Sequence, residues 1–162
     1  MCIRDRYKDV FHNIVAFHEL YDRVAVCGFD EQLARVAYAG ADFILMPSRF
    51  EPCGLPQMIA PLYGCLPVAH NTGGIHDTVA QLSMETNTGN GFLFDVYDSQ
   101  GLFWAIDQAV LFHGSPARKR QRQIQRIMLE SAETFNHDVT ARHYMQLYEK
   151  MLQRPLIAEP PY

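Results

Sequence analysis

Short apolar runs alternate with amphipathic stretches along most of the chain. Four runs are rich in β-forming residues and short enough to be strands: residues 23–27, 42–46, 66–70 and 92–94. The spacing of apolar positions predicts helices at 7–21, 31–39, 55–63, 75–81, 102–112, 116–133, and from Asn136 or Asp138 to about 153. Because strands that alternate with helices form βαβ units, the pattern predicts an α/β fold with a doubly wound parallel sheet.

One stretch, residues 41–76, organises the rest: ADFILMPSRFEPCGLPQMIAPLYGCLPVAHNTGGIH. Its first run is apolar throughout, which predicts a strand buried on both faces. A turn that contains Glu51 follows, and a helix then begins near Pro56, where a proline is tolerated. In parallel sheets ligands bind at this carboxyl edge. The free N–H groups of Gly54 and Leu55, at the start of a helix, would favour a bound anion such as a phosphate.

Each candidate residue in this stretch has a plain alternative. Glu51 is either a surface carboxylate or a carboxylate that hydrogen-bonds a hydroxylated ligand or stabilises developing positive charge. Cys53 could be a nucleophile, but because no base lies nearby in sequence, a small thiol at a buried edge is favoured. Phe29 is either ordinary core or a ring that stacks on a flat ligand. The Gly73-Gly74 pair, taken alone, indicates only a tight turn.

Composition excludes several classes of protein. The chain has 162 residues, enough for one domain, and its net charge of −4 and pI near 5.9 argue against a general nucleic-acid binder. No apolar run is long enough to span a membrane. The four cysteines form no CxxC pair, and the seven histidines are scattered, so neither a disulfide framework nor a metal site is expected.

Several segments together resemble one family. The segments PSRFEPCGLPQ and YGCLPVAHNTGGIHDTV are similar to the signature of bacterial glycogen synthases and plant starch synthases, which form glycosyltransferase family 5. Further matches are Gly28-Phe29-Asp30-Glu31, Ala39-Gly40-Ala41-Asp42, Gly91-Phe92-Leu93-Phe94, and Phe135-Asn136-His137 with Tyr144. The resemblance covers about residues 22 to 152.

This resemblance implies a retaining glucosyltransferase. Such an enzyme transfers glucose from ADP-glucose to the 4-hydroxyl at the non-reducing end of an α-1,4-glucan, without a metal or a cofactor. Its fold would be GT-B, with the active site between two Rossmann-like domains, in the cytoplasm or in a plant plastid. The resemblance makes Glu51 the catalytic carboxylate that contacts the donor sugar. It gives donor binding to Phe29, Cys53, Gly54, Leu55, Gly73 and Gly74, with Phe29 against the adenine.

The resemblance also implies a domain organisation. Residues 1–6 would be a frayed end or a non-native join, 7–135 a partial donor-binding domain, 136–153 a closing helix, and 154–162 a loose tail. The family's N-terminal domain, which carries the acceptor surface, has no counterpart here. Because the first two strands of the usual order are also missing, strand 23–27 would lack its native neighbours and would lie either at a gap or mispaired with strand 42–46. The chain alone is expected to be inactive.

Four departures from the family pattern accompany these matches. The strand segment with the Arg and Lys that grip the diphosphate is missing. Phe29 stands where bacterial members often have Tyr, and Pro56 stands where Thr is common. Ile59 lies eight residues after Glu51, where the wider retaining superfamily has a second glutamate. The alternatives are a non-catalytic nucleotide-sugar-binding module, a part of another GT-B enzyme such as a sucrose- or trehalose-type synthase, or an inert chain.

Overall fold

The structure, a computed structural model, describes residues 3–154 and 156, with side chains from residue 7 onward. It divides into two compact units, residues 1–35 and 36–162, and each is described by itself. Most of the expected tail, residues 155 and 157–162, lies outside the described residues, as do Met1 and Cys2. None of the described helices is both long enough and apolar enough to cross a membrane.

The first unit contains helix α1 and a segment without regular structure. Helix α1 runs from Ile3 to Phe17, so it begins inside the expected frayed end and stops four residues before its predicted end. It stops there because Glu19 has a left-handed backbone with φ of 53°. Residues 24–30 form no strand, so the strand predicted at 23–27 is wrong. Among the described residues this segment pairs with no strand, so the alternative that it mispairs with residues 42–46 is not observed.

Helix α2 runs from Glu31 to Gly40, as predicted. The carboxylate of Asp30 accepts a hydrogen bond of 2.8 Å from the N–H of Leu33, which is the expected N-terminal cap.

Three parallel strands form the sheet of the second unit. They are β1 (Phe43–Met46), β2 (Leu66–His70) and β3 (Phe92–Phe94), in the order β1-β2-β3. All three lie where the sequence predicts them. The expectation that β1 is buried on both faces is wrong, because Leu45 is 54% exposed. Among the described strands β1 is at an edge of the sheet, whereas all five residues of the central strand β2 are buried.

Five further helices complete the second unit: α3 (Pro56–Ile59), α4 (Gly73–Thr78), α5 (Ser99–His113), α6 (Ala117–Thr134) and α7 (His137–Leu152). The helix predicted at 55–63 is instead α3 followed by a 3₁₀ helix over Ala60–Tyr63, since Pro61 has no N–H to continue the α-helical ladder. Helix α5 begins before its predicted start because Asp98 caps it, accepting from the N–H of Gly101 at 2.7 Å.

The core lies on both faces of the sheet, because side chains along each strand alternate between them. On one face, Leu66, Val68, Phe92 and Phe94 pack with apolar residues of α5 and α6. On the other face, Met46 and Ala69 pack with Ile75 and Val79 from α4 and its end. Helices therefore cover both faces of a parallel sheet, as the α/β prediction requires.

Candidate functional site

The loops that follow β1 and β2 lie against each other. The two strands are neighbours and parallel, so their carboxyl ends meet at the same edge. The N–H of Gly74 donates a 2.9 Å hydrogen bond to the carbonyl of Glu51. Six of the seven predicted site residues are thus brought to one place: Glu51, Cys53, Gly54, Leu55, Gly73 and Gly74.

The glycine pair is required by the closeness of these loops. A Cβ atom on Gly73 would lie 2.0 Å from the carbonyl oxygen of Glu51, and Gly73 also has a φ of +49°. A Cβ on Gly74 would lie 2.2 Å from the carbonyl oxygen of Cys53. Both distances are far inside van der Waals contact, so no other residue fits at either position without moving the backbone. The pair is therefore more than a tight turn.

The Glu51 carboxylate is half-buried and oriented by its own loop. Its Oε2 accepts a hydrogen bond of 3.1 Å from the hydroxyl of Ser48, at the end of β1. The carbonyl of Ser48 in turn accepts one of 2.8 Å from Nδ1 of His70, the last residue of β2. His70 is 8% exposed and packs on the rings of Phe94 and Tyr97. The Glu51 carboxylate is therefore hydrogen-bonded to a residue just after β1, and the backbone of that residue is in turn bonded to the last residue of β2.

The backbone amides of Gly54 and Leu55 donate to no acceptor among the described residues. They come just before α3, in which Pro56 occupies the first turn. The helix itself is one turn long before the 3₁₀ segment, so its dipole is smaller than the sequence predicts. The two free N–H groups remain, and two adjacent free donors are suited to an anion's oxygens.

The side chain of Gln57 holds this loop in place through hydrogen bonds to its backbone. Its side chain is fully buried, and its Nε2 lies 2.8 Å from the Cys53 carbonyl, 3.0 Å from the Gly54 carbonyl and 3.2 Å from Thr78 Oγ1. The hydroxyl of Thr78 donates to the carbonyl of Gly74 at 2.6 Å. Hydrogen bonds thus connect the loop after β1 to helix α4.

Cys53 is exposed, and its thiol lies 3.5 Å from the carbonyl of Gly54. Among the described residues no basic side chain hydrogen-bonds this sulfur, which favours a small thiol over a nucleophile. The thiol lies at an exposed position, so the expected buried edge is wrong.

Phe29 lies in the first unit, apart in the chain from the other six residues. Its side chain is 81% exposed, so the interpretation of Phe29 as ordinary core is wrong. Its stacking on a flat ring stays a prediction.

A second polar group lies at the carboxyl ends of β2 and β3. The amide of Asn71 donates to Asp95 at 2.7 Å and its oxygen lies 2.8 Å from Nδ1 of His76. The two histidines nearest the site, His70 and His76, therefore have different partners. No group of three metal-ligating side chains occurs among the residues that the structure describes.

Sequence reasoning missed three contributors: Ser48, Gln57 and Thr78. Ser48 was only the end of a strand, and Gln57 only a position in the first turn of a helix. One signal was available for Gln57: it is a polar residue three and four positions after Gly54 and Cys53, in the first turn of a helix. A polar residue at such a position must find partners, and the nearest are the carbonyls of the preceding loop.

Comparison with known proteins places the chain in a family. The family described as glycosyl transferases group 1 matches residues 4–127. Glycogen synthase of Bacillus subtilis is 38% identical over 84% of this chain, and that of Thermotoga maritima is 39% identical over 93%. The chain spans 27% and 30% of the length of these two curated relatives.

Two solved structures of glycosyltransferases resemble this chain in fold. The catalytic domain of starch synthase IV from Arabidopsis thaliana, bound to ADP and acarbose, has a TM-score of 0.76 and 32% identity over 90% of this chain and 30% of its own. Sucrose-phosphate synthase from Thermosynechococcus elongatus has a TM-score of 0.64 and 28% identity over 88% of this chain and 34% of its own. On its sequence and its fold, the chain belongs to the glycosyl transferases group 1 family.

Proposed function

We propose that this chain forms the donor-binding part of a glycogen or starch synthase. The complete enzyme would have the GT-B fold and transfer glucose from ADP-glucose to the non-reducing end of an α-1,4-glucan. The donor would bind at the loops after β1 and β2, with its diphosphate on the Gly54 and Leu55 amides. Glu51 would contact the glucose, and Phe29 would lie against the adenine.

One observation carries this proposal: a carboxylate and two free backbone N–H groups lie within one loop, and hydrogen bonds from Gln57 and Gly74 hold that loop in place. Glu51 Oε2 is fixed by Ser48, and the adjacent amides of Gly54 and Leu55 donate to no described acceptor. A nucleotide sugar presents hydroxyl groups and a diphosphate next to each other, and the loop offers a partner to each. The similarity to the glycogen synthase of Bacillus subtilis and to starch synthase IV supports the same function class.

The chemistry divides between the two kinds of group. As the glycosidic bond breaks, positive charge develops on the sugar and negative charge on the departing diphosphate. The Glu51 carboxylate suits the first charge and the free amides suit the second. Catalysis would also require positively charged side chains beside the diphosphate and a surface that binds the acceptor, and the proposal assigns both to the remainder of the enzyme. The 162-residue chain alone is therefore expected to bind the donor without turning it over.

We further propose that the reaction needs no metal or cofactor besides its substrates, and that the enzyme works in the cytoplasm or in a plastid. The glucan would be its second substrate.

Isothermal titration calorimetry of the 162-residue chain with ADP-glucose, UDP-glucose and glucose 1-phosphate tests the donor assignment. The proposal predicts saturable binding of ADP-glucose, weaker binding of UDP-glucose, and no detectable binding of glucose 1-phosphate. A preference for UDP-glucose would favour a sucrose- or trehalose-type enzyme, consistent with the sucrose-phosphate synthase neighbour. Absence of binding to all three ligands by a folded chain would overturn the proposal.

A further inference from the structure

A single buried amide group determines where the free N–H groups of the site point. In a planar trans peptide unit, the carbonyl and the following N–H point in opposite directions. The Cys53 carbonyl shares its peptide unit with the Gly54 N–H, and the Gly54 carbonyl shares its unit with the Leu55 N–H. The structure contains no cis peptide bond among its described residues. Whatever turns these two carbonyls inward therefore turns the two N–H groups outward.

Gln57 is the group that does so. Its Nε2 lies 2.8 Å and 3.0 Å from the two carbonyl oxygens, so one amide nitrogen contacts two consecutive peptide units. The orientation of the amide follows from these partners, because a carbonyl oxygen accepts and an exchange of Nε2 with Oε1 would place oxygen against oxygen. Gly54 makes the approach possible: a Cβ there would lie 2.4 Å from Gln57 Oε1, and its φ is +74°.

The oxygen of the same side-chain amide is unsatisfied. Gln57 is fully buried, and its Oε1 has no hydrogen-bond partner among the residues that the structure describes. A buried polar atom without a partner lowers stability, because it has lost its hydrogen bonds to water. A residue whose contribution were only packing would be better replaced by methionine, which has a similar shape and no polar atom. The contribution of the amide therefore lies in the contacts of its Nε2, two of which are to carbonyls of the loop.

Thr78 connects Gln57 to the glycine pair, Gly73 and Gly74, at the start of α4. Its Oγ1 lies 3.2 Å from Gln57 Nε2 and donates to the Gly74 carbonyl at 2.6 Å. Gln57 and Thr78 thereby connect the peptide units of residues 53–55 with those of the glycine pair.

We propose that Gln57 and Thr78 are positioning residues, whose buried hydrogen bonds aim the Gly54 and Leu55 amides at the diphosphate of the donor. This inference rests on the proposed function and adds to it the side chains that prepare the site before the ligand arrives. Neither residue touches the ligand. Preorganised donors lose no orientational freedom when the anion binds, so removing their support weakens the binding of phosphate groups in particular.

The test compares two ligands that differ only in phosphate. Calorimetry measures binding of ADP and of adenosine to the 162-residue chain and to its Gln57→Met variant. The proposal predicts that Q57M weakens ADP binding about tenfold, the equivalent of about 1.4 kcal/mol, and leaves adenosine binding unchanged. Equal loss for both ligands, or no loss for ADP, would overturn it.

Two matched controls separate positioning from stability. Gln123 is also a buried glutamine whose Nε2 donates to another residue, Asn87, and Gln123→Met should lower the stability while both affinities stay unchanged. Thr78→Ser keeps the hydroxyl and should bind ADP as the parent chain does, whereas Thr78→Val should bind it more weakly. Urea unfolding of every variant establishes that each is folded at the temperature of the titrations.

A readout without ligand keeps this inference independent of the proposed function. If the parent chain binds no ADP, the proposed function fails, and ¹H–¹⁵N spectra of the free chain then decide the inference. The amide signals of Gly54 and Leu55 should shift or broaden in Q57M, while those of β2 should stay in place. Unchanged Gly54 and Leu55 signals would refute the positioning role.

Discussion

Two segments of this chain have similar patterns of residue types but different structures. Residues 23–30 and residues 43–54 both begin with an apolar run of β-forming residues and lead through a turn to a helix. The first contains no strand, and Phe29 within it is 81% exposed. The second starts with a paired strand and ends in a loop held by the fully buried Gln57. Both segments were predicted to carry donor-binding residues.

The difference lies in what each run pairs with. A strand needs a neighbour for its N–H and C=O groups, and β1 has one in β2. Residues 23–27 have no such neighbour among the described residues, so local propensity alone does not make them a strand. We therefore expect the loop after β1 to behave as a fixed site, and the segment around Phe29 to tolerate substitution.

The largest expected effect concerns the fixed loop. Gly74→Ala places a Cβ at 2.2 Å from the Cys53 carbonyl oxygen and should lower the free energy of unfolding by about 2–3 kcal/mol. Urea denaturation measures this difference. Gly40→Ala is the matched control, because a Cβ at Gly40 meets no atom within 4 Å, and it should leave the stability unchanged or raise it by up to about 1 kcal/mol. Equal stability for the two variants would show that the two loops are not held together.

The next effect concerns the sugar. Glu51→Gln keeps the size of the side chain and removes its charge, so it should weaken ADP-glucose binding about tenfold while ADP, which lacks the glucose, binds as before. Calorimetry with both ligands measures the two affinities. A parallel loss for ADP would mean that Glu51 supports the loop instead of contacting the glucose.

A smaller effect tests the exposed segment. Phe29→Ala should leave the free energy of unfolding unchanged, because the side chain is 81% exposed, and should weaken ADP binding several-fold if the ring stacks on adenine. Phe17→Ala is a suitable control, since Phe17 lies in the same unit and is 82% exposed. If both variants bind ADP as the parent chain does, Phe29 has no part in donor binding.

The last effect is confined to alkaline pH and concerns a buried thiol beside the sheet. Burial, and secondarily the Asp42 carboxylate, raise the pKa of Cys65 from 9.0 to about 11. Between about pH 9 and about pH 11 the folded chain keeps a proton that the unfolded chain has lost. The free energy of unfolding should therefore fall as the pH rises through this range. Urea denaturation against pH should show a shallower fall in Cys65→Ala. The same slope in both chains would contradict the shifted pKa.

Sequence reasoning succeeded where local and tertiary preferences agree. The strands 66–70 and 92–94 were predicted at their observed bounds, because each is mostly apolar and is followed directly by a polar residue, Asn71 or Asp95. The place of Glu51 followed from a general rule about the carboxyl edge of parallel sheets. The strand at 23–27 failed because pairing is a property of distant chain segments.

The support of the site lay beyond sequence reasoning for a similar reason. Ser48 and Thr78 act through hydrogen bonds to Glu51 and Gly74 whose geometry depends on how two loops pack. The spacing of residues in the sequence does not indicate how these loops pack. The Gly73-Gly74 pair, taken without the resemblance, indicates only a tight turn, and its close contact with residues 51–53 became evident from the distances in the structure.

The central claim is that the loop after β1 presents its free amides to a nucleotide sugar. A ¹H–¹⁵N titration of the 162-residue chain with ADP-glucose tests this most directly. The account predicts that the Gly54, Leu55, Gly73 and Gly74 amide signals move together and saturate, while signals of α6 stay in place. Saturable shifts confined to other parts of the chain, with these four signals unmoved, would contradict it.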